Sequence, residues 1–312
     1  MTPAACIQLR PPRSQDAFVA ALLLNSTQEP HFHATAAGLR TAFGQRPNDY
    51  VVSEMEGQVT GLASLWLPDV HPTHGWLGLH IHPDCRADGT AQALLNHLAG
   101  QVRKAGRGHL WTSVREDYLS AWPDLEALGF REIHRTFGGG FHLRGWAASA
   151  RTLDLQLEAD GYTVTAAAPF QQDARLHALY ALTRADKVLA LPTIPAASDA
   201  LTGGDGTDED TLWNAAHIAW QAGEPVGLSL PERSRLHAWN AVLIVHPAHR
   251  GRGLATALLA RTARQLQANG VDFLNVAGSS QDSAYLGVLR RLGANIEPDW
   301  IAHEAQCTEQ PA

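Results

Sequence analysis

Residues 79–130 align without a gap onto residues 243–294 of the same 312-residue chain. Pro83, Arg86, Gly89 and Ala91 match Pro247, Arg250, Gly253 and Ala255. Leu94-Leu95 match Leu258-Leu259, Gly106 matches Gly270, and Leu128-Gly129 match Leu292-Gly293, every pair 164 residues apart. A period this long specifies a duplicated domain rather than a solenoid of short repeats. A chain of this length holds two domains of ordinary size. The sequence places their boundary near residues 147–158, which gives domains 1–148 and 149–312.

Each half reads as mixed α/β (α+β). In the first, Ile7–Leu9 is a short strand, and Ser14–Leu24 and Ala34–Phe43 are helical. Tyr50–Glu54 and Gln58–Leu67 are strands joined at Glu56-Gly57, and Trp76–His82 is a third. Ala91, Leu94, Leu95, Leu98 and Val102 recur at helical spacing up to Gly106. His109–Val114 is a strand, a helix is expected from Tyr118 to Leu128, and Arg131–Phe137 and Gly140–Leu143 close the half. The second half runs strand Tyr162–Ala166, helix Gln171–Thr183, and a Pro-, Gly- and Asp-rich loop from Ala190 to Asp210. A hairpin follows around Ala222-Gly223. Strand Ala241–Val245, a helix through Thr256–Ala268, strand Phe273–Val276 and a helix through Tyr285, Leu289 and Leu292 complete it.

The best-preserved part of the repeat is the turn Val245-His-Pro-Ala-His-Arg-Gly-Arg-Gly-Leu-Ala255, between a strand and a helix. N–H groups point out of a helix N-terminus, and Gly251 and Gly253 carry no side chain to block an approaching ligand. The helix dipole favours an anion there, and Arg250 and Arg252 add positive charge and forked donors. Gly251 and Gly253 lack the third glycine of a dinucleotide fingerprint, and no Gly-Lys-Ser/Thr follows. In the earlier copy Ala87 and Asp88 stand for Gly251 and Arg252. A carboxylate repels a pyrophosphate, so this half is expected to be scaffold or substrate wall.

The order strand, Val-x-Pro-x-x-Arg-Gly-x-Gly-x-Ala, helix, strand, helix, Leu-Gly resembles the layout of the GNAT acyltransferase superfamily. It is strong over 241–294 and weaker over 76–144. The resemblance implies two tandem GNAT domains, each a mixed central sheet flanked by helices. It implies acetyl-CoA, or another acyl-CoA, as acyl donor. Arg250, Gly251, Arg252, Gly253, Leu254, Ala255 and Thr256 would hold its pyrophosphate, and edge groups of Leu243 and Val245 would pair with its pantetheine arm. The acceptor is expected to be a small-molecule amine or a protein N-terminus.

Thioester aminolysis needs a neutral amine and a proton for the leaving thiolate. In the family a tyrosine four residues before the glycine of Leu-Gly often supplies that proton. Here that position is Leu289, and in the first half Leu125. Tyr285, one turn earlier on the same helix face, is the remaining candidate. No acid stands on Ala241–Val245, so Glu224, Glu232 and His237, which flank the adjacent strands, are the candidates for base. Two rival readings keep the fold and drop the chemistry: a catalytically silent acyl-CoA-binding or sensor protein, and a scaffold that binds no cofactor.

The balance of 24 basic against 31 acidic residues argues against a nucleic-acid partner. Three distant cysteines, no leader and no long apolar run point to a cytoplasmic chain that does not enter a membrane, as monomer or homodimer. The 16 histidines raise a metal reading, with His80, His82 and Cys85 close in sequence. However, His82 and Cys85 occupy motif positions matched by His246 and His249, so no metal is expected.

Overall fold

The computed structural model describes residues 7–86, 88–147, 151–184, 210–234 and 237–307; of the expected loop, 190–209 lie outside these. Two compact units result. One holds described residues 7–135 and 298–307, the other 136–184 and 210–297.

The first unit contains β1 (Gln8–Arg10), α1 (Ala17–Asn25), α2 (Ala36–Gln45), β2 (Tyr50–Met55), β3 (Gln58–Trp66) and β4 (His74–Ile81). Next come α3 (Thr90–Lys104), β5 (His109–Arg115) and β6 (Arg131–Phe137), which runs on into the second unit. Strands β1 to β4 pair antiparallel in sequence order, and β4 pairs with β5 in parallel. The apolar stripe of α3, Leu94, Leu95, Leu98 and Val102, is buried against Leu77, Leu79 and Ile81. Ala17, Ala20, Leu39 and Phe43 of α1 and α2 form a second cluster with Val52 and Leu62. The helix expected over Tyr118–Leu128 does not form. A 3-10 segment covers Glu116–Ala121, and Trp122 is extended, at φ −94° and ψ 158°. Pro123 is the cause, because a residue preceding proline is driven out of the helical region.

The second unit contains β7 (Gly139–His142), α4 (Arg151–Ala159), β8 (Tyr162–Ala166), α5 (Ala174–Arg184), β9 (His217–Gln221) and β10 (Glu224–Ser234). It continues with β11 (His237–Val245), α6 (Leu254–Ala268), β12 (Phe273–Asn275), β13 (Gly278–Ser279), α7 (Ser283–Arg291) and β14 (Asn295–Ile296). Helix α4 occupies the stretch read as a boundary. The sheet order is β14-β7-β12-β11-β10-β9-β8, and only β11–β12 is parallel. Helices α3 and α6 have the same length and start 164 residues apart. Both lie close on the sheet through a glycine. A Cβ on Gly61, opposite Ile81, would come within 3.0 Å of Leu94, and one on Gly227, opposite Val245, within 2.9 Å of Leu258. Leu94 and Leu258 are a matched pair of the repeat.

The last strand of each half is exchanged. β15 (Trp300–Gln306), at the end of the chain, pairs antiparallel with β5 along its whole length in the first unit. β7, from the first half of the sequence, pairs antiparallel with β12 in the second. Each therefore fills the place beside the second strand of a parallel pair, and a cut at 148/149 does not coincide with the compact units. Alternation reveals a strand but not its partner, so sequence order suggested the simpler division.

Candidate active site

Strands β11 and β12 touch at only two registers, Ala238 with Leu274 and Trp239 with Asn275. Beyond them β11 continues from Asn240 to Val245 with β10 as its partner, so its other edge presents unpaired backbone groups. The same divergence occurs in the first unit. There β4 and β5 pair at His74–His109, Gly75–Leu110 and Trp76–Trp111, then part. At that fork the Thr112 hydroxyl donates to the Leu77 carbonyl at 2.9 Å.

Each diverging strand runs into the repeated turn. The His246 ring accepts the Ala248 N–H at 3.2 Å, and His82 accepts that of Asp84 at 3.4 Å. Gly253 and Gly89 both take left-handed φ values, +87° and +91°, to start their helices. At Gly253 a side chain is excluded twice over, because a Cβ would also lie 2.6 Å from Leu153. Arg250 folds back so that its Nε donates to the Val245 carbonyl at 3.1 Å, and Tyr162 holds the His249 ring at 3.0 Å. Among the described residues, no acceptor meets the N–H groups of Arg252, Gly253, Leu254, Ala255 or Thr256. These unmet amides and the dipole of a 15-residue helix suit an anion.

In the first-unit turn one amide is met by the turn's own side chain. Asp88 Oδ1 accepts the Thr90 N–H at 2.9 Å. Arg86 is turned away, donating to the Ser120 carbonyl at 3.0 Å. Its backbone is helical (ψ −28°), whereas Arg250 is extended (ψ 162°).

A model of the acetyltransferase (GNAT) family matches residues 17–130 and again 177–293. The chain belongs to the GNAT acetyltransferase family. Two matches on one chain make it a tandem GNAT protein. Its fold is similar to that of a GCN5-related N-acetyltransferase from Sphaerobacter thermophilus. Identity is 17%, the TM-score 0.68, and coverage 98% of this chain and 97% of the other. A tandem GNAT protein from the clavulanic acid biosynthesis pathway is 18% identical at a TM-score of 0.50, covering 98% and 100%. A glucosamine N-acetyltransferase region of a fungal multi-domain GH3 β-N-acetylglucosaminidase matches at 13% and 0.58, covering 97% of this chain and 38% of that one. Identities this low establish the fold alone. No curated protein matches.

Within the second GNAT unit, Leu243 and Val245 lie half-buried on the diverging part of β11. Tyr285 stands in the first turn of α7, its N–H capped by Asp282 at 2.8 Å. Its hydroxyl accepts from Asn240 Nδ2 at 3.0 Å. Asn240 is the first β11 residue past the last pair with β12, so the phenol reaches the mouth of the gap. Burial is the main cause that pushes the Tyr285 pKa up to about 12, so the phenol holds its proton throughout the neutral range. Glu224 and His237 are not brought to this point. Glu224 is exposed at the hairpin end of β10, 3.9 Å from Arg175, and His237 is exposed at the opposite end of the β10–β11 ribbon beside Phe273. They are separated by about ten strand residues, or roughly 30 Å.

Two residues at this site escaped the sequence reading. Asn240 falls on the strand with no motif to mark it. Arg291, at the basic end of α7, places Nη1 3.4 Å from Thr256 Oγ1 in the first turn of α6. Among the described residues no group of three or more His, Cys, Asp and Glu could hold a metal, and no helix is long and apolar enough to cross a membrane.

Proposed function

We propose that the second unit transfers an acetyl group from acetyl-CoA to a primary amine. The observation that carries this reading is the run of unmet N–H groups at the start of α6, beside the unpaired edge of β11. The turn from Arg250 to Thr256 binds the pyrophosphate, and Leu243 and Val245 pair with the pantetheine arm. In the transfer the amine nitrogen forms a bond to the acetyl carbon as the carbon–sulfur bond breaks. Tyr285 gives its proton to the sulfur and regains one from solvent, to which the amine nitrogen loses its own. The acceptor is a small amine or a protein N-terminus, and the protein acts in the cytoplasm as a monomer or homodimer.

The test is thiol release from acetyl-CoA over a panel of small amines and N-terminal peptides, with the acetylated product identified by mass. Release is expected with at least one acceptor, reduced roughly a hundredfold by Tyr285→Phe with acetyl-CoA affinity kept. Release undiminished by Tyr285→Phe would remove the tyrosine from the chemistry. A second reading, binding of acyl-CoA without transfer, is favoured by one observation: neither Glu224 nor His237 joins Tyr285 and Asn240. Tight acetyl-CoA binding with no thiol release across the panel would select it.

A further inference from the structure

The ring of Tyr285 is seated by its own unit. Asp282 caps its N–H at 2.8 Å, in the first turn of α7. The ring packs at 5.8 Å on that of Phe137, which is in register with Gly278 on the neighbouring strand. Gly278 leaves room for both rings, because a Cβ there would come 3.1 Å from Tyr285 Cδ1 and 3.2 Å from Phe137 Cε1. Asn240, 7% exposed on β11, meets the hydroxyl, its Nδ2 donating to Oη at 3.0 Å. By the 164-residue offset Ala121 stands for Tyr285 in the first half, so that copy lacks the phenol.

The direction of this bond decides what the phenol can do. A phenol has one proton to give and an oxygen that accepts. Asn240 Nδ2 fills the accepting side, and among the described residues the hydroxyl donates its own proton to no group. The same N–H still faces the oxygen once that proton has left, and a hydrogen bond to a charged group is roughly twice as strong as a neutral one. Burial raises the Tyr285 pKa, to about 12, the Asn240 bond opposes the rise, and the Asp282 carboxylate adds to it. The other end of the amide, Oδ1, is buried and meets no donor among the described residues. A buried amide with an unmet oxygen costs stability, so packing does not account for an asparagine here.

We propose that Asn240 is the positioning residue of the acid: its amide leaves the phenol proton of Tyr285 for the thioester sulfur and then stabilises the tyrosinate. As the amine nitrogen bonds to the acetyl carbon, the carbon–sulfur electron pair goes to sulfur, which takes the proton from Oη. Oη keeps the O–H electron pair as tyrosinate, held by the Nδ2–H until solvent returns a proton, and the amine nitrogen loses its own proton to solvent. The inference rests on acetyl transfer in the second unit with Tyr285 as its acid.

The first measurement needs no substrate. Difluorotyrosine, which ionises at lower pH than tyrosine, is placed at position 285 of the full-length chain and titrated by its fluorine resonance. Asn240→Leu is expected to raise that ionisation by about one pH unit, tenfold in the proton equilibrium. An unchanged value would overturn the inference, and so would a lowered one, which means that Asn240 had been holding the phenol proton. The second measurement is thiol release from acetyl-CoA over the amine panel. Asn240→Leu is expected to lower kcat about tenfold with acetyl-CoA affinity kept within about twofold, and its double variant with Tyr285→Phe to be no slower than Tyr285→Phe alone. A further loss in the double variant would show Asn240 acting apart from the phenol and would equally overturn the inference. Should Asn240→Leu lose its native circular dichroism, Asn240→Ala decides. No thiol release from wild type would defeat the transfer reading and this role with it, and the titration then tells a missing reaction from a missing bond.

Discussion

Asp88 and Arg252 occupy the same place in two copies of one turn, and they reverse its electrostatics. Asp88 supplies an anion to the Thr90 N–H at 2.9 Å, while the matched Leu254 N–H is left for a ligand. Arg252→Asp is therefore expected to cap Leu254 and weaken acetyl-CoA by about tenfold or more, measured by calorimetry. Asp88→Ala is expected to cost about 1 kcal/mol in urea unfolding, the usual value of a lost helix cap. His80 sets a pH signature. Its pKa is about 4 in the fold against 6.5 as the ordinary value. Between these, the unfolded chain holds the proton and the folded chain does not, so stability falls as pH drops from 6.5 toward 4. Up to roughly 3 kcal/mol is lost across that window. Urea midpoints at pH 7 and 5 should therefore converge in His80→Gln relative to wild type; an unchanged difference would count against a neutral buried ring. The turn was legible in the sequence because each of its residues acts through its immediate neighbours. The Tyr285–Asn240 contact was not, because a pairing between residues 45 apart leaves no local pattern.

Strand exchange makes the halves of the sequence inseparable at the level of elements. Without β15, the β5 edge that runs from His109 to Arg115 is bare, and Glu304 no longer meets His74 at 2.8 Å and Arg131 at 2.6 Å. A chain ending at residue 148 is expected to aggregate or unfold, and deletion of 298–312 to destabilise the first unit. Hydrogen exchange over β4 and β5 in the deletion variant checks this directly: retained protection would show that β15 is dispensable. Most strands and both motif helices followed from periodicity. β15 did not, because its burial alternates poorly, with Ile301 and Ala302 both buried. The helix expected after β5 failed at Pro123, a local signal that outranks an apolar spacing.

At the scale of the whole molecule, one duplicated fold carries two different ends. Both units have a parallel pair of strands that parts, a histidine-capped turn and a helix begun by a left-handed glycine. One turn presents unmet amides, and in the other a carboxylate of the turn meets the Thr90 N–H, in a unit that also holds a tryptophan-lined cavity. The duplication and the unequal turns were readable from residue matches alone. The cavity was not, because three tryptophans on three strands become neighbours only through register. The central claim is that a single turn, in the second unit, holds the acyl donor. Calorimetric titration of the full-length chain with acetyl-CoA tests it most directly. One molecule per chain is expected, retained in Arg86→Ala and lost in the double variant Arg250→Ala, Gly253→Asp. Two molecules per chain, or binding that survives the double variant and disappears in Arg86→Ala, would contradict it.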